Sequence, residues 1–227
     1  MLSDRRSQRI LIADDHSMFA ETLRVYLIGK GRTVVGVVQD GHAVIREAMK
    51  LRPDAIVVDV GMPLLNGLDV ARRIKSQDAK IKFVFLTMHD DATLAAAALE
   101  LGPVAFVLKH STGAELLRAI DHVMEGHPYL TPRLRTEHWE EAKAKASRLS
   151  RELTNRQRDV LQLFAEGRSQ KEIASLLHLS QKTVEFHKHH VMESFNLRSN
   201  ADLVLFAVKQ GLIHVDKAHA CLSYLAD

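Results

Sequence analysis

The sequence predicts an α/β domain followed by a smaller all-helical domain, and three observations lead to this fold class. Five short apolar runs alternate with amphipathic segments between residues 9 and 126, as expected of βαβ units. Four of these runs are followed or closed by a polar or charged residue. After residue 150 the strand pattern stops, and helix-start signals follow one another at close spacing. We therefore expect a doubly wound, five-stranded parallel sheet, a linker, and then four short helices.

The five strands are predicted from runs rich in β-branched residues. They cover residues 9–13, 33–38, 55–58, 82–87 and 104–108. The third run has the length of a buried strand and is followed directly by an acid, Asp59. Because the carboxyl ends of parallel strands meet at one edge of an open sheet, the polar residues after them should lie together.

The helices between these strands are predicted from apolar spacing and from their end signals. They cover about residues 16–28, 41–49, 67–75 and 90–101, and a fifth helix ends at Gly126. Gly29 is expected to end the first helix. The pattern Thr112-x-x-Glu115 predicts a capping box at the start of the fifth. The first domain therefore spans residues 1–128.

The second half of the chain is predicted to be helical. Regular structure is interrupted at His127-Pro128 and Thr131-Pro132, and a charged, alanine-rich stretch follows. We therefore expect residues 129–149 to form a partly helical linker. Its polar composition fits a segment that bridges two domains rather than one that enters a core. Four cap signals then divide residues 150–213 into four helices; they are Thr154, Ser169, Ser180 and Ser199. Residues 214–227 form an extension with apolar residues at helical spacing, which predicts a short final helix.

Composition limits the possible partners and locations. The 227 residues are 46% hydrophobic and 26% charged, and no apolar run reaches the length of a membrane span or a signal peptide. The single cysteine, Cys221, excludes an internal disulfide framework and fits a cytoplasmic protein that does not enter the membrane. The net charge of +3 comes from residues 131–227, which hold 15 basic and 12 acidic residues, and it permits a nucleic-acid partner.

The polar residues at the strand ends form a predicted phosphoryl-transfer site. The carboxylates Asp14, Asp15 and Asp59 repel each other without a cation, and hard oxygen ligands suit Mg²⁺. Lys109 can neutralise a phosphoryl oxygen, and the hydroxyl of Thr87 can donate to the same group. Each residue alone has a more ordinary explanation, such as a helix cap or a surface lysine. Together they indicate an acid, Asp59, that accepts a phosphoryl group as nucleophile.

Residues 9–126 resemble the receiver domain of two-component response regulators, whose fold is flavodoxin-like. The resemblance is carried by Asp14-Asp15, Asp59, Met62-Pro63, Asn66-Gly67, Thr87, Phe106 and Lys109. It implies that a sensor histidine kinase phosphorylates Asp59 with Mg²⁺, and that the main-chain carbonyl of Gly61 is also a metal ligand. It further implies that Phe106 and Thr87 move together as a switch, although an aromatic in a strand is also an ordinary core residue.

Two positions in this stretch depart from the receiver pattern. Gly61 stands where an asparagine or arginine is common, so any side-chain effect on dephosphorylation is absent. Leu64 stands where glycine is common, and the turn there is expected to differ in shape.

The second and third helices of the C-terminal domain form a predicted helix-turn-helix. Val184, Val191 and Phe195 form the buried stripe of the third helix, and its opposite face is expected to enter the major groove of DNA. Phosphate contacts are predicted for Lys171, Lys182, Thr183 and His187. Glu185 can accept a hydrogen bond from a cytosine amino group. Phe186 can contact a thymine methyl group, or it can be partly buried. His189 lies on the same face of the helix.

Residues 150–213 resemble the LuxR-type DNA-binding domain. The resemblance is carried by motifs that include Leu153-Thr154, Lys171-Glu-Ile-Ala174 and Lys182-Thr-Val-Glu185. With the receiver-like segment in front, the chain resembles the NarL/FixJ class of response regulators. This implies transcription control through double-stranded DNA, usually by homodimers on paired half-sites.

Three alternatives compete with this interpretation. The first is a DNA-binding protein that uses its first domain only for dimerisation, but the complete set of acids argues against a retired site. The second is a phosphohydrolase with Asp59 as nucleophile; Gly61 has no side chain to act as the general acid, so we expect no enzyme beyond self-phosphorylation and self-dephosphorylation. The third is a metal site at His187 and His190, which lacks a third ligand nearby.

Overall fold

The computed structural model describes residues 8–134 and 138–213, with only the main chain for residues 148–152. The chain divides into two compact units, Met1–Ser147 and Arg148–Asp227. Across the described ranges, no helix is both long and apolar enough to cross a bilayer. The final helix predicted within residues 214–227 lies outside the described residues.

The first unit is built on a six-stranded sheet in the order β2-β1-β3-β4-β5-β6, with every pair parallel. The strands are β1 Arg9–Ala13, β2 Thr33–Val38, β3 Ala55–Asp59, β4 Lys82–Thr87, β5 Val104–Leu108 and β6 Tyr129–Leu130. The parallel, doubly wound sheet is confirmed, and its order over the first five strands is the flavodoxin-like one.

The predicted strand number of five was wrong by one. Tyr129–Leu130, assigned from sequence to the linker, pair in parallel with Ala105 and Phe106 of β5. The segment lies between Pro128 and Pro132 and is two residues long, so it shows no periodicity that a sequence pattern could detect. The sheet therefore continues past the end of the predicted first domain.

Five helices cover the two faces of this sheet. They are α1 Ser17–Gly29, α2 Gly41–Leu51, α3 Gly67–Gln77, α4 Ala92–Leu99 and α5 Gly113–Met124. α1 and α5 pack with one set of strand residues, and α2, α3 and α4 pack with the other. Alternation along β3 shows why, since Val57 belongs to the first cluster whereas Ile56 and Val58 belong to the second.

The linker region enters this core. After a 3-10 turn at Pro132–Leu134, helix α6 covers Trp139–Glu152. Ala142 and Ala146 are buried, and Trp139 packs against the cluster formed by α2, α3 and α4. The prediction that this stretch stays out of a core was wrong for its first half, because an apolar stripe of small and aromatic residues at helical spacing outweighs the polar composition.

Helix ends follow the predicted signals with two corrections. Gly126, Gly167 and Gly211 all adopt the left-handed backbone conformation after a helix, as predicted. α1 continues through Gly29, and the left-handed residue after it is Gly31. At α5 the hydroxyl of Thr112 accepts from the main-chain amide of Glu115, but the Glu115 carboxylate accepts from Tyr129 and Thr131 instead of completing a capping box.

Within its described residues, the second unit contains four further helices, as predicted. They are α7 Asn155–Ala165, α8 Gln170–Leu177, α9 Gln181–Ser194 and α10 Asn200–Lys209. Capping boxes are formed at Thr154, Ser169 and Ser199, and the hydroxyl of Ser180 accepts from the amide of Thr183. Each cap satisfies main-chain donors that the first turn leaves unpaired, so these short helices have well-defined starts. Their core includes Leu161 of α7, Val191 of α9 and Leu203 of α10.

Candidate functional site

The predicted site residues of the first unit meet at the carboxyl edge of the sheet. Asp14 and Asp15 follow β1, Asp59 closes β3, Thr87 closes β4, and Lys109 follows β5. Main-chain hydrogen bonds continue the strand pairing past the strand ends. The amide of Lys109 donates to the carbonyl of Thr87 at 2.7 Å, and the amide of Asp14 donates to that of Val38 at 3.0 Å. The sheet therefore fixes the main chain from which these side chains project.

A single lysine bridges two of the acids. The Nζ of Lys109 lies 2.7 Å from Oδ2 of Asp14 and 3.1 Å from Oδ2 of Asp59. The lysine side chain is 4% exposed, and its ammonium also lies 4.9 Å from the ring centroid of Phe19. Three carboxylates with one buried ammonium leave an excess of negative charge at this edge, which favours a further cation.

Asp59 is held in an environment that resists its ionisation. Burial raises the pKa of the Asp59 carboxyl above its ordinary value, the nearby Lys109 ammonium opposes this increase in pKa, and the Asp14 carboxylate adds to it. The amide of Gly61 donates to Oδ1 of Asp59 at 3.2 Å, which stabilises the carboxylate. One carboxylate oxygen thus faces Lys109 and the other faces a main-chain donor.

The arrangement fits a divalent cation. Asp14, Asp15, His16 and Asp59 each offer one ligand atom, and these atoms lie within 4.8 Å of one another. Carboxylate oxygens are the ligands that Mg²⁺ prefers, so the three acids would hold it. His16 was missed from sequence; its position directly after Asp14-Asp15 was the available signal. The role of the main-chain carbonyl of Gly61 as a metal ligand stays a prediction.

Thr87 and Phe106 are both fully buried on neighbouring strands. The hydroxyl of Thr87 accepts from the amide of His89 at 3.1 Å. The ring of Phe106 lies 6.1 Å from that of Phe85, its register partner on β4. This position agrees with an ordinary core residue as well as with the predicted switch, so the switch role stays a prediction.

The turn after Asp59 depends on two unusual backbone positions. Leu64 has a φ of 66°, a left-handed backbone conformation that a leucine rarely adopts. The leucine bears the strain of about 1–2 kcal/mol that this conformation costs a non-glycine residue, and the expected difference in turn shape stays a prediction. At Gly67 a Cβ atom would lie 2.4 Å from the carbonyl oxygen of Asp59, so only glycine fits.

In the second unit, α8 and α9 form the predicted helix-turn-helix. Val184 and Val191 of α9 are buried, and Phe195 packs against the cluster that contains Val191, so all three residues of the predicted stripe face inward. The side-chain amide of Gln170 donates to the carbonyl of Gln181 at 2.8 Å and ties the two helices together. The relative placement of the helices is thus set by a polar contact as well as by the core.

The outward face of α9 presents most of the residues predicted to touch DNA. Lys182, Glu185, Phe186 and His189 are exposed, as is Lys171 on α8, whereas Thr183 and His187 are half-buried. Phe186 is 62% exposed, so it is a surface residue and not a partly buried one. The exposed ring is therefore accessible for the predicted contact with a thymine methyl group.

Several polar residues of α9 already have partners within the unit. His189 lies 3.1 Å from Glu193, and His190 lies 3.1 Å from Gln157 of α7. Burial lowers the pKa of His187, and Arg156 and His190 contribute in the same direction, so the imidazole is harder to protonate in the free protein than in an exposed histidine. Among the residues described, the acidic group of the first unit is the one set of three or more His, Cys, Asp or Glu side chains whose ligand atoms lie close enough together to hold a metal ion.

Lys188 was not predicted from sequence as a functional residue. Its ammonium lies 2.6 Å from Oδ1 of Asn200 and 4.8 Å from the ring centroid of Phe164. It therefore connects α9 with α7 and α10, which is a structural role.

Comparison with known proteins agrees with this division. Residues 10–121 match the family described as response regulator receiver domain, and residues 151–207 match the bacterial regulatory proteins of the luxR family. BvgA of Bordetella pertussis, described as a transcription regulator of virulence factors, is 33% identical over 205 residues; the match covers 90% of this chain and 98% of BvgA.

Solved structures of the response regulator RcsB share the fold. RcsB from Salmonella enterica serovar Typhimurium, bound to promoter rprA in the presence of the phosphomimetic BeF₃⁻, has a TM-score of 0.59 and 25% identity, covering 88% of this chain and 98% of RcsB. A structure of two RcsB dimers bound to two parallel DNAs has a TM-score of 0.54 and 26% identity, covering 89% of this chain and 99% of RcsB.

Proposed function

Because the chain belongs to the two-component response regulators of the NarL/FixJ class, with a receiver and a LuxR-type DNA-binding domain, we propose that phosphorylation of Asp59 controls its binding to DNA. The donor is the phosphohistidine of a sensor kinase, and Mg²⁺ is the cofactor. The observation that supports this most directly is the shared Lys109, 3.1 Å from Asp59 and 2.7 Å from Asp14. It places a positive charge beside the oxygen that would attack.

The proposed reaction is an in-line transfer. An Asp59 carboxylate oxygen attacks phosphorus and forms a P–O bond while the P–N bond to the donor imidazole breaks. Lys109 neutralises charge on the transferred group, and the amide of Gly61 holds the other Asp59 oxygen. Mg²⁺, held by Asp14, Asp15 and Asp59, would supply further charge neutralisation at the phosphoryl oxygens. In the reverse direction of the switch, water attacks phosphorus, the P–O bond to Asp59 breaks, and inorganic phosphate leaves as the free carboxylate is restored.

Phosphorylation is tested with the full chain and a small acyl phosphate as donor. We expect intact-mass measurement to show one added phosphoryl group that requires a divalent cation. Asp59→Asn should abolish the addition, whereas Asp90→Asn, a change at an exposed acid outside the cluster, should leave it intact. Equal labelling of Asp59→Asn and the unmodified protein would refute the assignment.

We propose that the phosphorylated protein binds double-stranded DNA as a homodimer, through the outward face of α9. The exposed Lys182, Glu185 and Phe186 support this, as do the RcsB dimers seen on DNA. Titration of a promoter fragment, with sedimentation to measure assembly, should show tighter binding and a larger species after phosphorylation. Equal affinity of both forms would contradict control by phosphate, even if labelling of Asp59 succeeds.

We further propose that the protein, working in the cytoplasm on DNA, catalyses only the gain and loss of its own phosphoryl group. Gly61 offers no side chain as general acid, which argues against turnover of external phosphoesters. Incubation with small phosphate monoesters should release no phosphate beyond the buffer control, and sustained turnover would refute this.

A further inference from the structure

We propose that His16 is a nitrogen ligand of the divalent cation at the acidic cluster, and that it gives the site a preference for borderline transition metals over Mg²⁺. The proposal rests on the proposed function insofar as that function places a cation among the acids. It adds a nitrogen ligand to a site for which the sequence predicts only oxygen ligands.

The position of the imidazole carries the proposal. Its Nδ1 lies 3.1 Å from Oδ1 of Asp15 and 3.2 Å from Oδ1 of Asp14. With Asp59, the group offers four ligand atoms within 4.8 Å of one another, so small side-chain shifts would bring all four onto one ion. The ring nitrogen therefore points at the same space as the carboxylate oxygens.

The fold does not require this imidazole. His16 is the residue before α1, yet its side chain makes no hydrogen bond to the first turn of that helix. It is the main-chain amide of His16, at 2.9 Å, that donates to Oδ1 of Asp14. The ring itself is 64% exposed. Its removal would leave the helix start and the main-chain hydrogen bond to Asp14 in place.

Lys109 and His16 contact different oxygen atoms of the acids. Lys109 is in contact with Oδ2 of both Asp14 and Asp59, whereas the contacts of His16 are made by Oδ1 of Asp14 and Oδ1 of Asp15. An imidazole on the side away from the lysine completes a mixed oxygen and nitrogen set. Such ligands bind Mn²⁺, Co²⁺ and Ni²⁺ with increasing affinity, whereas Mg²⁺ gains little from nitrogen.

The first measurement is electron spin echo envelope modulation of Mn²⁺ bound to the full-length protein, which detects a coordinated ¹⁴N nucleus. We expect nitrogen modulation in the unmodified protein and in the control His110→Ala, which changes an exposed histidine beside Lys109. The modulation should be lost in His16→Ala. Asp14→Asn should also lose it, because the ion would no longer be held at this cluster.

The second measurement is displacement of the same Mn²⁺ by Mg²⁺ and by Ni²⁺, which confines the readout to the site that Mn²⁺ occupies. His16→Ala should weaken Ni²⁺ by about tenfold or more while changing Mg²⁺ by less than about threefold. His16→Asn, which keeps a short polar side chain before the helix, should give the same pattern.

The possible outcomes separate the two proposals. Unchanged nitrogen modulation in His16→Ala or in Asp14→Asn, or equal losses for Ni²⁺ and Mg²⁺, would overturn the role of His16 while leaving the phosphoacceptor site intact. Failure of the unmodified protein to bind any of these cations would instead remove the metal from the proposed function.

Discussion

The ammonium nitrogen of Lys109 lies 3.1 Å from the carboxylate of Asp59, and both side chains are almost fully buried. An ion pair in such a place costs desolvation on both sides, and it persists because the same ammonium also serves Asp14 at 2.7 Å. Asp14 and Asp59 are therefore neutralised by the same ammonium group. Changes at either end of this pair should affect both reactivity and stability.

Lys109→Met should slow phosphorylation of Asp59 by a small acyl phosphate by about 100-fold or more, because a buried charge beside the transferring group is lost. The free energy of unfolding should fall by about 3–5 kcal/mol, since two buried carboxylates lose their partner. Rates from intact-mass measurement and urea denaturation would check both effects. Lys80→Met, at an exposed lysine, is the control and should change neither quantity appreciably.

Asp59→Asn should stabilise the protein at pH 7 by about 1 kcal/mol. Burial raises the pKa of Asp59 in the folded state, with Lys109 opposing and Asp14 adding to the shift, so the folded state binds the proton more tightly than the unfolded state does. The contribution of a protonated Asp59 is thus fully present at low pH and is lost as pH rises through its raised pKa.

The neutral asparagine avoids that loss, so its advantage should shrink as pH is lowered from 7 toward the ordinary range of an aspartate. Melting curves at several pH values would show this convergence. A difference that is independent of pH, or that grows on acidification, would contradict the raised pKa.

Leu64→Gly should give a protein more stable than Leu64→Ala by about 1 kcal/mol, because only glycine adopts a φ of 66° without strain. Chemical denaturation of the two variants measures the difference. The matched pair at Leu117, inside α5, should show the opposite order by a similar amount, since glycine destabilises a right-handed helix. The same order at both positions would show that Leu64 is not strained.

Phe186→Ala should weaken binding to a specific DNA site by about 1–3 kcal/mol while leaving the melting temperature nearly unchanged, because the side chain is 62% exposed. Lys182→Ala should instead weaken all DNA sequences alike and reduce the salt dependence of log K by about one phosphate contact. Leu205→Ala, an exposed residue on α10, is the control for loss of apolar surface. Loss of affinity with Leu205→Ala equal to that with Phe186→Ala would contradict a specific role for Phe186.

Trp139 should report phosphorylation of Asp59 by a change in fluorescence. It is the single tryptophan of the chain, and it packs against the cluster that contains Phe106. A phosphodonor or BeF₃⁻ should shift its emission, and Thr87→Ala should reduce the shift without preventing phosphorylation, if Thr87 and Phe106 move together. An emission spectrum that stays the same in a fully phosphorylated sample would separate Trp139 from the switch.

Residues with strong local patterns could be predicted from sequence. The strand before Asp59 is a continuous apolar run, so both the strand and the acid at its end could be predicted. The caps at Ser169 and Ser199 have the expected partner three residues later, so the starts of both helices could be predicted. Thr112 shows the limit of such patterns, because its presumed partner Glu115 is used by Tyr129 and Thr131. A local motif cannot show that a distant residue competes for the same side chain.

The remaining features depend on tertiary contacts. β6 is formed because β5 offers an unpaired edge, not because Tyr129–Leu130 has a strong strand pattern. His16 becomes a candidate ligand only when Asp59, 43 positions later, is brought beside it. The first half of α6 belongs to the core of the first unit, although its polar composition predicts a linker. Only the structure shows which few apolar residues of this half pack into that core.

The short strand β6 also fixes where the chain leaves the sheet. The amide of Thr131 donates to the carbonyl of Phe106 at 3.1 Å, and Leu130 is the register partner of the same residue. The exit of the polypeptide toward the DNA-binding unit is thus anchored to the backbone of Phe106 itself. A displacement of β5 at this residue would pull on the connecting segment directly, through the main chain, with no need for a side chain to relay it.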